Sequence, residues 1–109
     1  MSPHQKTNDS IRNMEIATII RQQLGGNKFK VMTGAKDFVA ISNGLQFKLP
    51  SRQINLVQIT LNTTDSYDIK FFKAVFSRNE VKTVKAVEGI YDDQLAEIFE
   101  ETTGLRTSL

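Results

Sequence analysis

The sequence contains no cysteine and a single histidine among its 109 residues. Without cysteine the chain forms no disulfide scaffold, no thiolate metal site and no thiol nucleophile. The one histidine, His4, lies in the polar stretch MSPHQKTNDS, where partner ligands or a catalytic partner are missing. The usual pairs of nucleophile and base therefore cannot be assembled. The sequence predicts a protein that is not an enzyme and that holds neither a cofactor nor a metal.

A small enzyme with a carboxylate or lysine site is the least favoured alternative. The C-terminal part is rich in carboxylates, namely Asp92, Asp93, Glu97, Glu100 and Glu101. Such a run is usually the solvated face of a helix. A divalent metal or a pair of catalytic carboxylates requires oxygen atoms that converge from several elements. This alternative therefore requires a concave pocket with converging carboxylates or lysines.

The chain also has little excess charge and no long apolar run. The 14 lysines and arginines against 12 acidic residues give a net charge of +2, so binding to nucleic acid would need a local patch. The first ten residues lack the apolar stretch of a secretion signal or a membrane span. With 39% hydrophobic and 24% charged residues the composition is ordinary for a globular protein. We expect a folded, cytoplasmic protein without a membrane partner.

Two helices are predicted, one at each end of a single domain over residues 13–109 that follows a flexible polar tail over residues 1–12. The first helix runs from Asn13, a suitable N-cap, to Leu24, and Gly25 stops it. The second is capped by Asp92 and ends before Gly104. Each helix has an apolar stripe at three- and four-residue spacing, formed by Ile16, Ile19, Ile20 and Leu24 in the first and by Leu95, Ile98 and Phe99 in the second.

Between the helices the apolar period changes to two, which predicts five or six short, mainly antiparallel strands. Asn43 and Gly44 favour a two-residue hairpin, and Pro50 ends the strand that follows it. Because each helix has one apolar face, both should cover the same face of the sheet, in an α+β fold. The predicted strands are KFKVMT, DFVAIS, LQFKLP, the stretch from Ile54 to Asn62, YDIKFFKAVF and VKTVKAV.

The stretch YDIKFFKAVF, residues 67–76, has apolar residues on both faces of its predicted strand. Tyr67, Ile69 and Phe71 alternate and should point inward, so Lys70 and Phe72 should point the other way. Since apolar residues occupy both parities from Phe71 onwards, either both faces are covered or a bulge shifts the register. The register of the last two strands therefore stays open.

An exposed aromatic flanked by lysines suits two kinds of partner. Single-strand nucleic-acid binders combine base stacking with phosphate attraction in this way. Apolar patches rimmed by charge also mark protein interfaces. The candidate binding residues are Lys70, Phe72, Lys82 and Lys85.

Several strings resemble, in this order, a group of small and functionally uncharacterised proteins encoded in tailed phages and prophages. The strings are LGGNKF, MTGAKDF, NGLQFKLP, ITLNTTDSYDIKF and YDDQLAEIFEETTGL. The resemblance spans nearly everything from Met14 to Leu109 and implies a phage setting, with the host cytoplasm as the compartment. It transfers no site residue. Small phage proteins of this kind often act by binding, which favours binding over catalysis by analogy.

The function predicted from the sequence is therefore that of a non-enzymatic, phage- or prophage-type binding module. A protein partner, either a second copy in a homodimer or a host protein, is the first choice. Single-stranded nucleic acid bound by a basic and aromatic sheet face is the alternative.

Overall fold

The computed structural model describes residues 3–107, and it describes the side chains of residues 10–107. Five antiparallel strands pair with their sequence neighbours in the order β1-β2-β3-β4-β5. The predicted α+β fold is confirmed. The elements are α1 (Pro3–Leu24), α2 (Gly26–Thr33), β1 (Lys36–Ile41), β2 (Gly44–Lys48), β3 (Leu56–Leu61), β4 (Tyr67–Val75), β5 (Glu80–Ile90) and α3 (Leu95–Thr103), with single 3-10 turns at Phe76–Arg78 and Asp92–Gln94.

One face of the sheet, which we call the core face, is covered by the helices. Phe47, Val57 and Phe71 lie in register across three strands, and all three are fully buried. The Phe29 ring of α2 packs edge-on against Phe47, with the ring centroids 5.3 Å apart. The Phe99 ring of α3 lies 5.0 Å from that of Phe29. Most of the two predicted apolar stripes reaches the core, since Ile16, Ile20, Leu24, Leu95 and Phe99 are buried and Ile98 is partly buried. The prediction is wrong for Ile19, which is 46% exposed.

The opposite face of the sheet, which we call the open face, is polar in its centre. Gln46, Gln58 and Lys70 stand side by side on β2, β3 and β4. The Gln58 Nε2 donates a hydrogen bond of 2.8 Å to the Gln46 Oε1. All three helices contribute their buried side chains to the core face instead. The sheet is therefore packed on one side only, as the sequence pattern indicated.

The stretch KFKVMT is helical, so its prediction as a strand is wrong. It belongs to α2, in which Phe29 and Thr33 are buried one turn apart while Val31 is 81% exposed. The Thr33 Oγ1 donates to the Phe29 carbonyl at 2.7 Å, and Gly34 ends the helix in the left-handed conformation. The alternation of Phe29 and Val31 is also typical of a strand, but a pattern this short does not determine the secondary structure. Burial of Phe29 among other aromatic rings favours the helix.

The starts of both predicted helices also differ. The backbone of α1 is helical from Pro3, so Asn13 is not its N-cap. Asn13 lies within α1, where its Oδ1 accepts a hydrogen bond of 2.8 Å from the backbone N–H of Asn43 and ties the helix to the β1–β2 turn. Asp92 lies in a 3-10 turn whose N-cap is Tyr91, and α3 begins at Leu95. The His4 side chain lies outside the described residues, and the tail over residues 1–12 stays a prediction.

The predicted hairpin forms, with its loop one residue earlier than expected. Ile41 pairs with Gly44, so Ser42 and Asn43 make the turn, and Asn43 takes a φ of 57°. Gly44 is already part of β2, where a Cβ atom would lie only 2.1 Å from the Ile59 carbonyl oxygen. A glycine is needed there because β3 approaches closely and leaves no room for a side chain.

Candidate interaction surface on the β4–β5 hairpin

The β4–β5 hairpin extends beyond the rest of the sheet at its 3-10 end. The pairing of β3 with β4 stops at Leu56 and Phe72, whereas β4 and β5 stay paired as far as Val75 and Glu80. The side chain of Asn55 supports the start of this extension. Its Nδ2 donates to the Ala74 carbonyl at 2.8 Å, and its Oδ1 accepts from the Ala74 N–H at 2.7 Å. An amide side chain thus continues the ladder for one more residue.

The β5 strand forms an edge that no other described strand pairs with. It is the longest strand, with 11 residues, and its side chains from Glu80 to Ala86 are exposed on both faces. Val81 is 59% and Val84 is 48% exposed. The backbone N–H and C=O groups on the outer side of an edge strand form a template for a further strand.

Two bulges interrupt β5. Phe71 pairs with Lys85 and Phe72 with Thr83, so Val84 is an extra residue. A second shift opposite Asp68 places Gly89 at a φ of 69°, where its N–H donates to the Asp68 Oδ1 at 3.1 Å. The register shift that the apolar pattern of β4 left open does occur, but its extra residue lies on β5, and β4 stays regular with Phe72 half-buried and Ala74 buried on the open-face side. Bulges bend an edge strand and limit indiscriminate pairing.

The four candidate binding residues do not share one face of the sheet. Residues that pair across strands lie on the same face. Lys70 and Phe72 pair with Gln58 and Leu56, which places them on the open face. Lys85 pairs with Phe71, whose ring is in the core, so Lys85 lies on the core-face side.

Lys82 also lies on the core-face side, because it pairs with Lys73, two residues beyond Phe71 on the same strand. This direct pairing of Lys73 with Lys82 was missed in the sequence. Two ammonium groups directly opposite each other destabilise a strand pair. The signal that could have found Lys73 is its position nine residues before Lys82 across the short SRNE turn. That position fixes the pair once the turn is known to lie between Val75 and Glu80, which pair with each other.

The hairpin is strongly basic. Between residues 70 and 85 five cations, namely Lys70, Lys73, Arg78, Lys82 and Lys85, accompany a single carboxylate, Glu80. Among the side chains of residues 10–107 the one ion pair joins the Lys48 Nζ to the Asp37 Oδ2 at 3.5 Å. None of the five cations is therefore neutralised by an ion pair within that part of the chain.

Aromatic side chains accompany this charge on the open face. Phe72 is half-buried there, and Phe76 at the hairpin end is 56% exposed. The Lys48 Nζ lies 4.6 Å from the centroid of the Phe76 ring, in a cation–π contact. Phe76 and Lys48 were not among the predicted site residues, because their proximity depends on the pairing of β2 with β3 and of β3 with β4.

A second apolar surface lies on the outward side of α1. Ile11, Met14 and Ile19 are 51%, 64% and 46% exposed, on the side of the helix opposite to Ile16 and Ile20. The α1 helix is thus apolar on more than its buried stripe, which is typical of a helix that meets a partner. Nothing in the described residues covers this stripe or indicates what would.

Two open clefts contain charged side chains of both signs, and the one beside Pro50, of about 380 Å³, brings Lys36, Lys48 and Arg52 together with Asp37. An open cleft of about 600 Å³ beside the β1–β2 turn contains Arg12 and Asp65 among neutral side chains. Within residues 10–107 no three acidic, histidine or cysteine side chains lie close enough to hold a metal ion.

The pKa of the Tyr67 hydroxyl is raised above its ordinary value of 10.0. Burial of the hydroxyl is the main cause, and the Asp92 carboxylate raises the pKa further, whereas a hydrogen bond with Gln23 lowers it.

No family model matches the chain, and neither a curated protein nor a solved structure does. None of the helices in the described part of the chain is long and apolar enough to cross a membrane. The class that the fold defines is a small α+β domain whose sheet is packed on one face, with an exposed basic hairpin at one edge.

Proposed function

We propose that this chain is a non-enzymatic binding module of phage or prophage type that engages a protein partner along β5. The observation that carries the proposal is the free β5 edge, exposed on both faces over seven consecutive residues. Addition of a partner strand to an exposed edge is a common mode of protein recognition, because main-chain hydrogen bonds supply affinity along its length. The resemblance to small phage proteins supports the setting and a binding role.

Photo-crosslinking at the edge tests this proposal. A p-benzoylphenylalanine at Val84 should crosslink a defined protein from a bacterial host lysate, and nuclease treatment should leave the adduct unchanged. The same group at Val31 is the matched control, since Val31 is also an exposed valine but lies on α2. Equal adducts from both positions, or none from Val84, would remove β5 as the contact surface.

Single-stranded nucleic acid is the second candidate partner, and the open face favours it. Lys70 and Phe72 share that face, and Phe76 stands at its end beside Lys48. Lysines attract phosphates while exposed aromatic rings stack on bases. A labelled oligothymidylate should then bind with an affinity that falls steeply with salt, and Phe72→Ala should weaken binding by about 1–3 kcal/mol. Binding that neither salt nor Phe72→Ala changes would exclude this candidate.

A further inference from the structure

We propose that the β5 edge is specific for an extended segment of a partner protein in which acidic residues alternate with small or β-branched apolar residues. This inference rests on the proposed function and names the chemistry of the partner. It follows from three features of the hairpin: the segregation of side chains between its two faces, its unneutralised charge and the position of the bulge.

The two faces of β5 differ in chemistry. Toward the open face β5 presents Val81, Thr83 and Ala86, which pair with Ala74, Phe72 and Lys70. Toward the core-face side it presents Lys82 and Lys85, flanked by Glu80 and Val87, with Lys73 next to Lys82 on β4. A strand added to β5 continues the same alternation. Every second side chain of that strand would lie beside lysines, and the others would lie beside small and β-branched side chains.

The charge on the core-face side determines which partner side chains suit the positions beside the lysines. Lys73 and Lys82 face each other directly, and no carboxylate of residues 10–107 forms an ion pair with either. A glutamate or aspartate beside Lys82 would relieve the like-charge contact and gain an opposite-charge pair. An apolar or basic partner side chain beside Lys82 would not relieve the repulsion between Lys73 and Lys82. Acidic side chains therefore suit the partner positions on the core-face side.

A second copy of β5 is a poor occupant. Residues 70–85 carry a net charge of +4, from five cations and one carboxylate, so two hairpins laid edge to edge repel each other. The five carboxylates between residues 92 and 101 of another copy belong to a 3-10 turn and a helix, which cannot add to a ladder as a strand. The partner segment is thus acidic, extended and from a different protein.

The length of the partner segment follows from the regular parts of β5 on either side of the bulge at Val84. Regular pairing of β5 runs from Glu80 to Thr83 and from Lys85 to Val87, on either side of the bulge. A partner that spans Val81 to Val87 needs about seven residues, or roughly 23 Å of extended chain. A bulge or a small residue at the middle of the partner segment would match the bend at Val84.

The test uses a peptide of about seven residues, in which glutamate alternates with valine and threonine, titrated into the full-length protein and followed by amide chemical shifts. Two control peptides separate the causes of binding. In the first, lysine replaces each glutamate; in the second, the backbone is N-methylated at alternate residues, which removes main-chain hydrogen bonds and keeps the charge. An oligothymidylate of similar charge forms the nucleic-acid arm.

The expected result is a set of shifts along Val81–Val87, with the glutamate peptide binding at least about tenfold more tightly than the lysine peptide. The N-methylated peptide should not bind. The double variant Lys82→Glu with Lys85→Glu should reverse the preference between the peptides. Lys70→Glu, which changes a lysine on the open face, is the matched control and should alter affinity by no more than about twofold.

Three outcomes would overturn the inference. These are no binding of the glutamate peptide at millimolar concentration, equal binding of the N-methylated peptide, and tighter binding of the oligothymidylate than of any peptide. If crosslinking at Val84 identifies a protein partner while the peptides show no acidic preference, the proposed function stands and only this inference fails. If Val84 gives no adduct but the glutamate peptide binds β5 as expected, the edge recognises acidic strands and the proposed cellular partner is wrong.

Discussion

The two edges of the sheet are built in contrasting ways. β1 lies beneath α1, and its Phe38 side chain packs into the core with the Arg21 guanidinium 4.6 Å from its ring centroid. Asp37 next to Phe38 forms the ion pair with Lys48 on β2. β5 contacts mainly β4 and the 3-10 turn that joins them, and its lysines have no ion pair within residues 10–107. The β1 edge is thus packed against a helix, whereas β5 is exposed from Glu80 to Ala86.

This contrast explains how a chain of this size can tolerate an exposed edge. The covered part of the sheet gathers a cluster of five aromatic rings, from Phe29, Phe38, Phe47, Phe71 and Phe99. Aromatic side chains bury large areas and dominate core energetics. β5 adds Ile90 and the partly buried Val87 to this core, so only its exposed side chains from Glu80 to Ala86 can vary in chemistry at little cost in folding.

The largest expected difference in the free energy of unfolding is between a phenylalanine substitution in the core and one at the end of the hairpin. Phe29→Ala removes a fully buried ring and should lower the free energy of unfolding by about 3–5 kcal/mol. Phe76→Ala at the hairpin end removes a ring that is 56% exposed and should cost about 1 kcal/mol or less. Urea denaturation measures both values. Similar losses for the two variants would mean that the hairpin is part of the core.

The second largest loss of stability is expected where β2 and β3 approach each other closely. Gly44→Ala places a Cβ atom against the Ile59 carbonyl, which only a backbone shift can relieve. We expect a loss of about 1–3 kcal/mol, together with faster amide exchange in β2 and β3 but not in the outer half of β5. Ser42→Ala in the same turn is the control and should stay within about 0.5 kcal/mol. Equal stabilities of the two variants would contradict the contact.

Tyr67, at the start of β4, gives the covered side of the sheet a dependence on pH. Burial holds the pKa of its hydroxyl above 10.0 in the folded protein, so the folded state keeps the proton more tightly than the unfolded chain. Its contribution to stability is complete below pH 10 and is lost as the pH rises through the folded-state pKa.

Thermal unfolding of the wild type and of Tyr67→Phe from pH 8 to 11 checks this sign. The wild type should lose more stability than the variant above about pH 10. Tyr91→Phe is a suitable control because the Tyr91 side chain is 61% exposed. A parallel decline of the wild type and Tyr67→Phe would assign the alkaline loss to other groups.

The smallest expected effect is an increase in the free energy of unfolding. Lys82→Glu converts the direct pair with Lys73 into a pair of opposite charges and should stabilise the isolated protein by about 0.2–1 kcal/mol at low salt. Lys85→Glu, whose cross-strand partner is Phe71, should change stability by less than about 0.5 kcal/mol. The gain should shrink as salt is added. A loss of stability in Lys82→Glu would argue against the pairing.

Much of the sheet is readable from the sequence because its pattern is local. Val57, Ile59 and Leu61 of β3 alternate with polar residues and face the core as predicted. Gly104 ends α3 in the left-handed conformation with its N–H on the Glu100 carbonyl, as its position after the apolar stripe indicated. Such features depend on residues within a few positions of one another.

The candidate surface could be predicted only in part, because its geometry depends on long-range pairing. Four residues of the β4–β5 region were identified as a group, and each does lie on the hairpin. Lys82 lies opposite Lys73 in the regular pairing next to the turn, and the extra residue at Val84 moves Lys85 from opposite Lys70 to opposite Phe71, which places Lys85 on the core-face side as well. The contact of Lys48 with Phe76 joins positions 28 residues apart and leaves no local signal.

By itself the sequence determined the α+β class, the inward rows of the central strands and the burial of most of both terminal helix stripes, with Ile19 as the exception. The reason is that a period of two, or of three to four, indicates which side chains face the core. Only the tertiary structure decided that residues 26–33 form a helix and that the lysines of the hairpin separate onto two faces. In both cases the local pattern was too short to choose, and the choice came from contacts between distant segments: the ring of Phe29 among other aromatic rings, and the register that β4 imposes on β5.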